Sequence, residues 1–200
     1  MITILFVRHG ECDFVGNYIA GRKEGIHLNR KGRDQACRLA RRLENVSVSA
    51  IFSGPLERVA ETAGYIARVK NIPVTVAWEL NEVDSGRWTS VPFDELRGDP
   101  QWNNYTVFRS STRIPGGEML PEVVCRVSSF IERIRREMDG STVVMVSHGN
   151  PIKAAVAHYA GIPPDYIRRF RIEPASVSVL RIDNFGAEVD CVNYTGTLRI

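Results

Sequence analysis

Short apolar runs alternate along this chain with stretches in which apolar side chains recur every three or four residues. Residues 2–7 form the first such run and read as a buried strand. Asn29 is a suitable cap for a helix that places Ala36, Leu39, Ala40 and Leu43 on one face. Residues 49–53 read as a second strand. Pro55 suits the first turn of a second helix with Val59, Ala63 and Ile66 inside, which sets Arg58 in its opening turn. A third strand is expected at residues 74–76. The pattern weakens over residues 84–117, which contain Trp88, Pro92, Pro100 and Pro115, and an insertion with short helices is expected there. Val123, Val127, Phe130, Ile131, Ile134 and Met138 then mark a long amphipathic helix that stops at Gly140. A buried strand at residues 142–147 leads into a helix with Ile152, Ala155, Val156 and Tyr159 facing inward. Residues 176–182 and 187–194, joined by Asp183-Asn184-Phe185-Gly186, read as a terminal hairpin. This order predicts an α/β fold with a mainly parallel sheet.

Size and composition narrow the reading. Two hundred residues, 44% of them hydrophobic, suffice for one domain with a sizeable core and are short for two. A single domain over 1–200 is therefore expected, with the insertion at about 84–117 lying over the site. A net charge of +3 is mildly basic, which favours an anionic small molecule and does not imply nucleic acid. Cys12, Cys37, Cys125 and Cys191 have no C-x-x-C spacing, so reduced thiols in a cytoplasmic protein fit best. The apolar start is too short to span a bilayer and has no basic leader, so neither a signal peptide nor a membrane partner is expected. No repeat or low-complexity tract interrupts the chain.

The candidate chemistry lies where apolar strands give way to helices. Arg8-His9-Gly10-Glu11 follows the first strand, and Ser147-His148-Gly149-Asn150 follows the strand at 142–147. Ligands of parallel sheets sit outside the carboxyl ends of the strands, so two imidazoles delivered there can face one another. Arg8 and Arg58 present forked donors suited to phosphate, and a helix amino terminus adds free N–H groups. An unprotonated imidazole held there could attack phosphorus and form a phosphohistidine. Glu82 is the candidate that protonates the leaving alkoxide and later activates water. This chemistry calls for no metal and no cofactor. His27 and His158 read as exposed polar residues, and the arginines at 133–136 together with Arg168, Arg169 and Arg171 as solvated faces.

Taken together, these blocks resemble the histidine phosphatase superfamily, also called the phosphoglycerate mutase-like family, over nearly the whole chain. Arg8-His9-Gly10-Glu11 matches its defining motif, and Gly21-Arg22, Leu28-Asn29, Gly32-Arg33 and Gln35-Ala36 follow its pattern into the first helix. The stretch Ser53-Gly54-Pro55-Leu56-Glu57-Arg58 resembles its second phosphate-arginine block, Leu80-Asn81-Glu82 with Gly86 and Trp88 its acid block, and Pro115-Gly116-Gly117-Glu118 its substrate-side loop. Val146-Ser147-His148-Gly149 resembles the second histidine motif. The resemblance implies a three-layer sandwich, with a mixed, mostly parallel central sheet and helices on both faces. It also implies His9 as nucleophile, Arg8, Arg58, His148 and Gly149 around the phosphate, and Glu82 as proton donor. Two positions depart from the pattern. Val15 stands where many members carry a phosphate-binding asparagine, leaving Asn17 as the nearest candidate, and Thr89 replaces the usual glutamate after Gly-x-Trp. Asn150 resembles a mutase position and equally suits a cap for the helix beside Pro151.

Glycolytic mutases of the family that the chain resembles carry a longer insertion between the acid and the second histidine motif than this chain has room for. The expected activity is therefore hydrolysis of a small phosphorylated metabolite by a phosphatase, with mutase-type transfer or silent phosphate-ligand binding as alternatives. There is no G-x-S-x-G elbow or G-K-[ST] loop to support another hydrolase or an ATPase. Monomer and homodimer both remain open. Trp88, Trp102, Tyr105 and Phe108 are expected to be buried within a lid.

Overall fold

The structure, a computed structural model, describes residues 1–196. Strands β1 (Ile2–Arg8), β2 (Ala50–Ser53), β3 (Val74–Val76), β4 (Thr142–Ser147), β5 (Val177–Ile182) and β6 (Ala187–Tyr194) form one sheet in the order β3-β2-β4-β1-β5-β6. The pairs β1–β4, β2–β4 and β2–β3 are parallel, whereas β1–β5 and β5–β6 are antiparallel. The sheet is thus mixed, with its parallel part around β4 and the expected terminal hairpin at one edge.

Period-two alternation in the central strands supplies both faces of the sheet. Leu5, Val7, Val144 and Val146 point to one side, where α1 (Arg30–Arg42) and α2 (Glu57–Lys70) cover them with Leu39, Ala40, Leu43, Val59, Ala63 and Ile66. Ile4, Phe6, Val143 and Met145 point to the other. There α5 (Leu120–Glu137) and α6 (Gly149–Tyr159) contribute Val123, Val127, Phe130, Ile131, Ile152 and Ala155. The helical stripes read from the sequence are therefore the buried ones, except that Met138 and Tyr159 end only partly buried.

Local chemistry fixes the helix ends. The Asn29 side chain accepts from the Gly32 N–H and begins α1. Helix α2 starts two residues after Pro55, because Leu56 is still extended. Past α5, Gly140 takes φ +78°, where a side chain would be strained. Between Glu82 and α5, the insertion folds as a 3₁₀ turn at Gly86–Trp88, α3 (Phe93–Leu96) and α4 (Pro100–Val107). Trp88, Leu96 and Tyr105 join the core beside α5 and α6. Trp88, Trp102 and Tyr105 pack as an aromatic cluster, while Phe108 is 53% exposed and so lies outside it, contrary to expectation.

Among the described residues, no helix is long and apolar enough to cross a membrane.

Candidate active site

Parallel pairing about β4 brings the carboxyl ends of β1, β2 and β4 to one edge of the sheet. Arg8 registers with Ser147, and the His9 N–H donates to the Ser147 carbonyl at 3.0 Å. The next residue on each strand is a histidine, and the two rings meet edge to face with centroids 5.1 Å apart. Gly54, after β2, is hydrogen-bonded to the Val146 carbonyl at 3.1 Å, so the start of α2 delivers Arg58 to the same edge.

Close backbone packing fixes the first motif. A Cβ at Gly10 would lie 2.5 Å from the Gly32 carbonyl oxygen, and one at Gly32 would lie 2.0 Å from the Glu11 oxygen. Both positions must therefore be glycine for α1 to rest on this loop. The Gly10 N–H donates to Thr62 Oγ1 (3.0 Å), and Thr62 in turn donates to the Arg58 carbonyl (2.8 Å). The nucleophile loop and the arginine helix are thus joined directly.

His9 Nδ1 lies 2.7 Å from the Gly10 carbonyl. A carbonyl can only accept, so Nδ1 carries the proton and Nε2 keeps the lone pair. Burial, reinforced by the Arg8 and Arg58 cations, holds His9 well below the ordinary histidine range. The ring is therefore neutral near neutral pH, with its lone pair on Nε2. His148 is fully buried, neither of its ring nitrogens makes a hydrogen bond, and burial again pushes it well down.

The guanidinium groups are held from behind. Arg8 Nη1 donates to the Ile172 carbonyl (2.5 Å), and Arg58 donates through Nη2 to Gly21 (2.8 Å) and Nη1 to Lys23 (3.2 Å). The Nε atoms of both are buried without a partner, and neither residue has a carboxylate within ion-pair distance among the described residues. Burial pulls both cations down and outweighs the attraction of Glu82, which acts on them from beyond ion-pair distance.

Among the described residues, Glu82 is the one carboxylate lining the cavity beside these groups. Its side chain is 15% exposed, and Oε2 lies 4.0 Å from His148 Nδ1. Burial raises Glu82 despite the hydrogen bond from the Val83 N–H and the nearby arginines, which favours a protonated acid. Its backbone is braced: the Glu82 carbonyl accepts from Arg22 Nε (3.0 Å) and Arg126 Nη2 (3.2 Å). Glu118 bridges these two arginines and also accepts from the Asp84 N–H at 2.9 Å. Ser147 Oγ donates to the Leu80 carbonyl at 2.6 Å, tying the acid segment to β4. Arg22, Arg126 and Glu118 thus position the acid, a role the separate motifs did not reveal.

Arg8, His9, Arg58, Glu82, Gly149 and Asn150 all line a cavity of about 520 Å³. His148 lies behind its wall against His9. Asn150 is the second residue of α6 and not its cap, which is His148, so the capping role expected beside Pro151 is absent. Asn17 is not brought in: it is exposed, and its amide donates to the Asp13 carbonyl at 3.2 Å. Arg109 and Lys153, which no motif singled out, line the cavity, as does Arg168, which is exposed as its reading on a solvated face implies. For Lys153 a signal existed, since it follows Gly149 by four residues and so shares its helix face. Arg109 and Arg168 lie where no period relates them to the site. Among the described residues, no group of three or more His, Cys, Asp or Glu is arranged to hold a metal ion.

The chain is 30% identical over 188 residues to phosphoserine phosphatase 1 of Hydrogenobacter thermophilus, covering 92% of this chain and 88% of that one. It is also 30% identical over 185 residues to a Salmonella choleraesuis protein named "Probable phosphoglycerate mutase GpmB", covering 92% and 85%. The solved structure of Bacillus stearothermophilus YhfR superposes with a TM-score of 0.92 at 27% identity, covering 98% of this chain and 99% of that one. The family model of the histidine phosphatase superfamily, branch 1, matches residues 4–195, and the chain belongs to that superfamily.

Proposed function

We propose that the protein is a phosphomonoesterase that hydrolyses a small phosphorylated metabolite through a phosphohistidine on His9. The observation that carries this reading is the state of His9: a neutral imidazole, its proton fixed on Nδ1 by the Gly10 carbonyl, beside two arginines that no carboxylate pairs. The substrate's phosphoryl oxygens supply the anionic partner that Arg8 and Arg58 lack, together with the free N–H groups at the start of α6.

His9 Nε2 attacks phosphorus and forms an N–P bond as the ester P–O bond breaks. Protonated Glu82 gives its proton to the departing alkoxide. Charge on the transferring group is met by the two guanidinium groups, and His148, which packs edge to face on His9 and makes no hydrogen bond within the protein, has a ring N–H to give a phosphoryl oxygen seated at His9. In the second half, Glu82 takes a proton from water while the hydroxide forms a P–O bond and the N–P bond breaks. Phosphate leaves, and both residues return to their starting states. Glu82 thus acts as acid and then base, and burial, which raises it, favours the protonated form that the first half requires.

A phosphatase among the relatives supports hydrolysis. The relative named as a probable phosphoglycerate mutase favours a second reading, in which a bound hydroxy acid and not water receives the phosphoryl group. The two separate in one experiment. Purified protein is incubated with a panel of phosphomonoesters in excess chelator, and released phosphate is measured. Sustained release is expected. No release across the panel, with phosphoryl exchange between phosphoglycerates, would replace hydrolysis by the mutase reading.

A further inference from the structure

The carbonyls that hold Arg58 belong to a segment that the helix of Arg58 itself ties down. Residues 21–28 run as a strap along the first turns of α2. At one end the Gly21 and Lys23 carbonyls accept from Arg58 Nη2 (2.8 Å) and Nη1 (3.2 Å). Between them Arg22 reaches the acid segment, where its Nε donates to the Glu82 carbonyl at 3.0 Å. Further along, the Gly25 N–H donates to Glu57 Oε1 and the Leu28 N–H to Glu61 Oε2, both at 2.9 Å. His27 Nδ1 closes on the other Glu61 oxygen. Glu57 and Glu61 stand four residues apart on α2 and so share a face, with Arg58 in the same turn.

Apart from His27, neither carboxylate has an ion-pair partner among the described residues, so their attachments are chiefly to the strap. The Gly25 N–H holds Glu57 below its ordinary range, and the hydrogen bond to Glu61 raises His27 above its own. Ile26 and Leu28 are buried, which keeps the strap on the protein whatever its polar ties do. The hydrogen bonds fix where its backbone lies along α2.

We propose that Glu57 and Glu61 are positioning residues for Arg58: by accepting from Gly25 and Leu28 they set the strap so that its Gly21 and Lys23 carbonyls aim the guanidinium at the phosphoryl group. The inference rests on reading Arg58 as a phosphate ligand. Neither carboxylate lines the cavity, so both act at a distance. A guanidinium turns to where its acceptors are, and two carbonyls fixed on one side leave the remaining N–H groups for an anion. The competing account is the direct charge of Glu57 on Arg58. It makes an amide as harmful as truncation, whereas the strap needs only an oxygen that accepts, which glutamine keeps.

Glu57→Gln/Glu61→Gln and Glu57→Ala/Glu61→Ala are compared with wild type by calorimetric titration of inorganic phosphate, by turnover of p-nitrophenyl phosphate and by Tm. The glutamine pair should keep the phosphate Kd within about fivefold of wild type. The alanine pair should weaken it by about tenfold to a hundredfold, the scale of a displaced site group, with kcat/KM falling in parallel. A glutamine pair that binds phosphate more than about fivefold more weakly overturns the strap and leaves the charge account, and this holds even if the alanine pair does not fold. An alanine pair that folds and stays within about fivefold overturns it too: a lowered Tm with unchanged phosphate affinity is a role in stability alone. Wild-type protein that binds phosphate without turning over p-nitrophenyl phosphate overturns hydrolysis only, and the phosphate Kd still decides the strap. Wild-type protein that binds no phosphate overturns the role of Arg58 and the strap with it.

Discussion

Replacing Arg58 by methionine should remove activity while leaving the fold almost as stable as before. Arg58 is 1% exposed, and its guanidinium is held by two hydrogen bonds to the Gly21 and Lys23 carbonyls. Losing two charge-assisted hydrogen bonds costs about 3–6 kcal/mol at 1.5–3 kcal/mol each. Against this stands the desolvation of a cation without a paired carboxylate, itself several kcal/mol, which the variant no longer bears. The two effects are of similar size, so the net change should stay within about 2 kcal/mol, or about 8 °C in Tm for a chain of this length. Turnover loses a donor aimed at the transferring phosphoryl group, and kcat/KM should fall about 10³-fold or more, about 4 kcal/mol of transition-state stabilisation. Calorimetry and a phosphate-release assay on the same sample measure both. Added inorganic phosphate should raise the wild-type Tm by mass action and the variant's much less. Activity within tenfold of wild type would refute the role, as would a severe loss of Tm with the phosphate-induced rise intact.

Glu82→Gln should slow esters with poor leaving groups by at least tenfold more than p-nitrophenyl phosphate, because only the former need a proton on departure; equal slowing counts against Glu82 as the acid. Burial depresses His9 and His148 in the folded protein, so the unfolded chain binds more protons on acidification. Stability should therefore fall as pH drops below about 6.5 and stop falling once the folded values are passed; a urea midpoint that does not change between neutrality and pH 5 would contradict this. Gly32→Ala places a Cβ 2.0 Å from the Glu11 oxygen. Urea unfolding should show a loss of about 1–3 kcal/mol or more, despite alanine's better helix propensity, and an unchanged midpoint would show that α1 can move aside.

Periodicity made the frame legible because the central strands are buried on both faces and the helices on one. The stripes of α1, α2 and α5 could thus be read from spacing alone. The motif residues were legible for a topological reason: each of His9, Arg58 and His148 follows a parallel strand that ends at the same edge. Asn17 was misplaced because a loop without period gives no direction for a side chain, and its amide turns back to Asp13. Arg109 was hidden for the same reason. A charged residue in an irregular segment looks solvated in a sequence, and only the three-dimensional packing shows that Arg109 is buried against the cavity. The brace formed by Arg22, Arg126 and Glu118 was invisible as a unit, since 96 residues separate Arg22 from Glu118.

Covalent capture tests the role of His9 most directly. Wild-type protein and His9→Ala are mixed with substrate for less than one turnover and quenched in alkali, where phosphohistidine survives, and the peptides are mapped by mass spectrometry. A phosphoryl group on the peptide carrying His9, absent from the variant and chased off by further reaction with water, is the expected result. Turnover with no phosphorylated histidine at any time point, or a phosphoryl group on another residue, would contradict it.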